Sequence, residues 1–185
     1  AVTGVQTCAL PILVPAPRRL YSAAVPDVYR LIATANDVGE PGSLLELPVG
    51  LRDGTSSMGD FNASVQYFQT THGRPLIGGY LSRVSDWRKE ESLRAPMLRA
   101  LYALSERPGL LPDDVVDSAR RSRDSFLARS CMKFVIVDKQ RASSELRAVA
   151  SDVLDLVSVH EDERYGLLTP RRVPACRAPV SEARR

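Results

Sequence analysis

The stretch MKFVIVDK (Met132 to Lys139) narrows the fold more than any other. It is apolar and rich in β-branched residues, and so reads as a strand. It runs into SSELRAVASDVLDLV, where a serine cap precedes Leu146, Val149, Ala150, Val153, Leu154 and Val157 in one stripe. That spacing predicts an amphipathic helix. A strand followed by a helix with one apolar side calls for a sheet with helices packed on it.

The rest of the chain repeats the alternation. VPDVYRLIATAN (Val25 to Asn36) has apolar residues at helical spacing, and LLELPV (Leu44 to Val49) reads as a short buried strand. GLRDGTSSMGD reads as a polar loop. Asn62 suits the N-cap of a helix through ASVQYFQTTH, with Gly73 as its terminator. RPLIGGYLS (Arg74 to Ser82) reads as a second strand, and its Gly78–Gly79 pair suggests a bulge or a close backbone approach. SLRAPMLRALYALS and PDDVVDSARRSRDSFLARS predict two helices, the second with Pro112 and two Asp at its start. After the helix of the opening stretch, SVHEDERYGLLTP predicts two short strands around a tight turn. The expected fold class is α/β: a small, mixed, partly parallel sheet of four or five strands with helices packed on it.

Charge excludes one class of partner. The chain of 185 residues carries a net charge of +3, but its last fifteen residues hold five Arg and one Glu. The remainder has 20 basic and 21 acidic residues and is close to neutral. A nucleic-acid binder carries its basic face on the folded part, so nucleic acid is not an expected partner. The Pro- and Arg-rich segment 171–185 is read as a disordered tail. The cysteines, Cys8, Cys131 and Cys176, share no metal-ligand spacing. Cys131 opens an apolar run and reads as a small buried side chain, and the odd count argues against a disulfide scaffold.

The first twelve residues stand apart. VTGVQTCALPI resembles the in-frame translation of a short-read sequencing adapter, and no basic residue precedes it as a signal peptide would require. Residues 1–12 are therefore set aside as an artefact, 13–24 as a linker, and 25–170 as a single α/β domain. The chain is read as a fragment, and no run in it reaches the twenty or so apolar residues of a membrane span.

Chemical motifs are sparse. There is no P-loop, no GxGxxG, no GxSxG elbow and no HExxH, and His72 and His160 lie far apart. No metal and no cofactor is expected. Asn62-Ala63-Ser64 matches a glycosylation acceptor, a triplet common by chance. His72, at a predicted helix end, suits a cation complementing the helix dipole. Glu46 sits inside an apolar strand, where a carboxylate is costly unless paired; Arg83 or Arg52 is the expected partner. Arg52 and Asp53 follow that strand, at the end where open α/β sheets bind ligands.

LLELPVGLRDG followed by VQYFQTTHGRPLIGGYLSR resembles a signature of one bacterial group. These are multi-spanning membrane proteins, similar to dolichyl-phosphate-mannose mannosyltransferases, that carry a soluble domain after the last membrane helix. The likeness runs through Leu45, Glu46, Leu47 and Pro48, then Tyr67, Gln69, Thr70, His72, Gly73, Arg74 and Pro75, then Gly78, Gly79, Ser82 and Arg83. It covers roughly residues 20 to 170. It implies an extracytoplasmic domain attached to a missing transmembrane part of the same polypeptide. Catalysis in such enzymes is expected from an acidic residue in an early loop outside this chain, so no catalytic residue carries over. If their strands are adjacent, the loop after LELP and the HGRP turn lie near each other and face the membrane-embedded active site. Arg52, Arg74 and Arg83 would then meet a lipid-linked phosphate, and His72 or Asp53 a sugar hydroxyl. Set against this is a free-standing soluble α/β ligand-binding module or small enzyme, with its pocket at the ends of the LELP and FVIVDK strands. A purely structural interaction domain is the third expectation.

Overall fold

The computed structural model describes residues 23–35, 42–109 and 111–176. The adapter-like segment 1–12, the start of the linker and the last nine residues of the tail lie outside them. The described residues form a small α/β fold with six helices and two sheets. In order the elements are α1 (Asp27–Thr34), β1 (Ser43–Leu47), β2 (Gly50–Arg52), β3 (Ser57–Gly59), α2 (Ala63–His72), β4 (Leu76–Ile77) and β5 (Gly79–Tyr80). Then come α3 (Asp86–Arg94), α4 (Pro96–Glu106), α5 (Asp113–Ser130), β6 (Met132–Asp138), α6 (Ser144–Leu154), β7 (Leu156–Glu161) and β8 (Tyr165–Pro170).

The main sheet has the order β4-β1-β6-β8-β7. Its first three strands are parallel, and β8 and β7 close it as an antiparallel pair. Strand alternation divides the core. Leu45, Leu47, Val135 and Val137 face one way, onto Met97 and Leu101 of α4, Phe126 and Leu127 of α5, and Leu146 and Val153 of α6. Leu44 and Ile136 face the other way with Tyr165 and Leu167 of β8. They are covered by Val28, Tyr29 and Ile32 of α1 and Phe68 of α2. Both faces of β1 are thus buried, as a central parallel strand requires.

A second sheet, β3-β2-β5, corrects the expectation of a single one. Its origin is local. Pro48, joined to Leu47 by a cis peptide, has no N–H to continue the β1 ladder, and the chain turns away to form β2. Gly78 does the same for the second expected strand: it divides β4 from β5 at φ 94°. A Cβ there would stand 2.7 Å from the Gly50 carbonyl oxygen, so only glycine admits this approach. β3 arises within the segment expected as loop, pairing Leu51 with Met58. The predicted helix over 92–105 is two helices: α3, capped by the Ser85 side chain, and α4, which begins at Pro96.

Cys131 and Cys176 form a disulfide, their Cα atoms 5.1 Å apart. Cys131 is therefore not the buried thiol its neighbours suggest. It closes α5 in the left-handed conformation at φ 49°, and its sulfur joins the start of the C-terminal tail to the end of that helix.

Candidate functional site

Parallel pairing decides what meets what. β1 pairs with β4 in the register Leu44–Leu76 and Leu45–Ile77. The HGRP turn precedes β4 and therefore lies at the amino end of β1, where the Leu44 N–H donates to the Pro75 carbonyl at 2.9 Å. The loop after LELP leaves the carboxyl end of β1. The two strands are neighbours, yet these two segments occupy opposite ends, so adjacency does not bring them together. What borders the GLRDG loop is the later half of the signature: β2 pairs in parallel with β5, Leu51 with Gly79 and Arg52 with Tyr80.

At the amino end, His72 and Arg74 are buried. Gly73, at φ 65°, ends α2 and donates its N–H to the Gln69 carbonyl at 2.8 Å. The Gln69 amide donates to the Arg74 carbonyl at 3.0 Å. His72 Nδ1 accepts the Arg74 backbone N–H at 3.1 Å, which places the proton of the neutral ring on Nε2. Burial first, and then the Arg74 guanidinium, hold the imidazole pKa below its ordinary value. His72 thus works as a neutral acceptor bracing a turn, not as the cation the helix end led us to expect. The Arg74 guanidinium lies 4.6 Å from the Phe134 ring centroid and donates to the Ile32 carbonyl at the end of α1 at 3.4 Å. Neither side chain is placed to meet phosphate or sugar.

Under α1 lies a second group. The register sets Glu46 opposite Ile136, so Glu46 and Asp138 stand on the same side of adjacent parallel strands. Glu46 is 5% exposed and accepts a hydrogen bond from the Tyr29 hydroxyl at 2.8 Å. Its partner is a tyrosine of α1, not Arg52 or Arg83. Desolvation pushes the Glu46 carboxyl up to about 7; the Tyr29 bond opposes this, and the Asp138 charge adds to it. Burial likewise raises the Tyr29 hydroxyl. Asp138 is fully buried and ionically satisfied: Arg164 donates through Nη2 at 2.9 Å and Nε at 3.3 Å, and the Gln140 N–H donates at 3.1 Å. Arg141 pairs with Asp60 at 2.7 Å beside them. A cavity of about 20 Å³, lined by Glu46, Pro48, Asp60 and Asn62 among others, holds no more than a water-sized group.

At the carboxyl end, Asp53 is consumed by structure. Its Oδ1 accepts the N–H groups of Thr55 and Ser56, both at 2.7 Å, and Oδ2 meets Lys89 Nζ at 2.6 Å. The lysine first, then the turn amides, hold its pKa far below the carboxylate range. This ties the β2–β3 turn to α3. Arg52 and Arg83 are exposed, and neither side chain hydrogen-bonds or pairs with another described residue. An open hollow of about 460 Å³ lies between the turn and α3, lined by Asp53, Thr55, Ser82, Arg83, Ser85 and Lys89 among others. Its lining is polar: the hydroxyls of Thr55, Ser82 and Ser85, the Arg83 guanidinium and the carboxylates of Asp53 and Asp86 border it.

Among the residues named from sequence, the structure brings Asp53 and Arg83 to one hollow, leaves Arg52 exposed on the strand beside it, and sets Glu46, His72 and Arg74 apart from them. Tyr29, Lys89, Asp138 and Arg164 went unnoticed. Tyr29 hides in an apolar helical stripe, while Asp138 was legible as a carboxylate ending the clearest strand. Among the described residues no group of three His, Cys, Asp or Glu side chains is set to hold a metal, and no helix is long and apolar enough to cross a membrane. Fold and site define a small α/β domain with a polar surface hollow. Comparison takes the identification no further: no family model, curated protein or solved structure matches this chain.

Proposed function

We propose that the chain is the extracytoplasmic, non-catalytic domain of a membrane glycosyltransferase-like protein, and that the hollow lined by Arg83 and Lys89, with Arg52 on the strand that leads into it, assists binding of a lipid-phosphate sugar donor or a sugar acceptor. The observation that carries this reading is the β2–β5 pairing, which brings two separate parts of the signature, GLRDG and GGYLSR, to one rim. Arginine there offers charge-assisted hydrogen bonds to phosphate, and Thr55, Ser82 and Ser85 offer hydroxyls to a sugar. The Cys131–Cys176 disulfide supports an oxidising, extracytoplasmic compartment. The test is the double variant Arg52→Ala/Arg83→Ala in the intact parent. Losing two charge-assisted contacts is expected to reduce transfer by about tenfold or more. Unchanged transfer, with the circular dichroism of the variant domain also unchanged, overturns the reading.

One observation favours the free-standing module instead. Glu46 and Asp138 lie on the adjacent strands β1 and β6, whose following connections, through α2 and α6, run to opposite sides of the sheet, the position at which open α/β sheets take ligands. The coding sequence upstream of residue 13 discriminates. A frame encoding many apolar segments favours the membrane protein; a short frame without them favours the module.

A further inference from the structure

A carboxylate inside an apolar strand calls for a cation, and the fold does not give Glu46 one. Among the described residues its one hydrogen bond comes from the Tyr29 hydroxyl, a neutral donor, and falls on Oε2. Oε1 has no described partner, and the carboxyl lines the water-sized cavity at the carboxyl end of β1. The charges that face it are already committed. β6 brings Asp138, which is held by Arg164 of the turn between β7 and β8. The segment after β6 brings Arg141, which is held by Asp60. Burial keeps Tyr29 of α1 and Tyr165 of β8 neutral, and His72 of α2, stacked on Tyr29 at 6.1 Å, is neutral as well. Three carboxyl groups thus stand against two guanidinium groups, and the charge of Glu46 is the one left unmatched.

The cavity decides what can match it. Asp60 also lines it, with a side chain 42% exposed and Oδ2 without a described partner. Much of the remaining wall is apolar, with Val49, Phe61 and Leu76. The start of α2 borders the same space, but the Ser64 N–H is spent on Asn62 Oδ1 and the Val65 N–H on the Asn62 carbonyl, so these amides are not offered to an anion. A space of about 20 Å³ admits one atom the size of a water oxygen. We propose that the Glu46 cavity binds the head of a primary ammonium ligand, which donates to Glu46 Oε1 while the Asp60 carboxylate draws the cation in. An ammonium nitrogen is small enough, carries the missing charge and brings only donors to a site of free acceptors. A guanidinium or a quaternary ammonium is too large, and a hydroxyl lacks the charge. Protonated Glu46 has no charge to pair, so the ligand competes with the proton. The inference needs neither reading given above: the hollow lies elsewhere, and the free-standing reading shares with it only the end of the sheet.

The probe is methylammonium, added to the complete chain while tetramethylammonium holds the ionic strength constant. The readout is the carbon-13 NMR resonance of the Glu46 carboxyl, assigned by its absence from Glu46→Gln. Without the amine its titration midpoint is expected near 7. A ligand that binds only the ionised form lowers that midpoint, by about one pH unit at a tenfold excess over its dissociation constant. Methylammonium is also expected to protect the wild type against urea on the alkaline side of the midpoint and not on the acid side. Glu46→Gln, with unchanged circular dichroism, is expected to lose that protection. A midpoint that methylammonium leaves in place overturns the proposal. An equal shift with methanol overturns it and assigns the cavity to a neutral hydroxyl or a water. An equal shift with potassium overturns it and assigns a general site for monovalent ions. Protection retained in Glu46→Gln overturns it as well. The wild-type titration stands whether or not the variant folds. Transfer by Arg52→Ala/Arg83→Ala judges the hollow alone and leaves this result untouched.

Discussion

A buried carboxyl with its pKa raised from 4.5 to about 7 links proton binding to folding. The unfolded chain releases the Glu46 proton near 4.5, while the folded chain keeps it until about 7. Between those values the folded state binds more protons, so the contribution of Glu46 to stability is complete below pH 4.5 and falls as pH rises through the window. The size follows from the shift, about 3 kcal/mol. His72, held neutral, acts oppositely below its ordinary pKa, so wild type alone mixes the two. Urea unfolding of wild type and Glu46→Gln across this range separates them. The variant is expected to gain on wild type by about 2–3 kcal/mol on going from the acid to the neutral side. Tyr29→Phe removes the hydroxyl that Glu46 accepts from. It is expected to cost about 1–2 kcal/mol and to move the same window upward, because that bond opposes the shift. The Glu46 charge problem was legible in the sequence, since a glutamate between leucines needs a partner. The partner itself was not, because it comes from a helix seventeen residues earlier and periodicity cannot say which helix covers which face.

For single elements, sequence reading succeeded where one local force dominates. The β6 strand falls where its apolar pattern predicts it, Ser143 caps α6, and Asn62 caps α2 through the Ser64 N–H; α6 nevertheless ends at Leu154, where left-handed Asp155 turns the chain, so Val157 of the predicted stripe belongs to β7. It failed where a proline or glycine divides a pattern. GLR reads as loop and PLIGGY as one continuous strand, yet LLELPVGLR and PLIGGY each supply one strand to either sheet. Gly78→Ala tests that division directly. An alanine must adopt φ 94° against the Gly50 carbonyl, and the expected loss is about 1–3 kcal/mol. Amide exchange should rise first at β2 and β5, with β6 protected as before. The Asp53 anchor is a second test at this scale. Asp53→Ala frees Lys89 and the turn amides, and faster exchange at Thr55 and Ser56 is the expected result.

The described residues are held by a core on both faces of the main sheet and by the Cys131–Cys176 cross-link. Peptide mapping without reductant should recover Cys131 and Cys176 on joined peptides. Because their separation is 45 residues, removing both cysteines is expected to lower stability by about 2–4 kcal/mol. No spacing rule pairs these two, since only the fold brings the end of α5 to the tail. The α/β class was legible because it needs only the alternation of patterns. The location of the hollow was not, because it depends on whether β4 runs with or against β1. A parallel neighbour sends the HGRP turn to one end and the following GGYLSR segment to the other.

The borders of the main sheet carry a further consequence. β4, at one border, is two residues long; β7, at the other, has a register irregularity between Ser158 and His160 and ends in Glu161. Short or irregular borders with a charge give an incoming strand little to template on. The fold therefore guards itself against fibril growth. Crowded copies of this domain should meet through their helices and loops and remain dispersed, with no thioflavin-positive material forming as concentration rises.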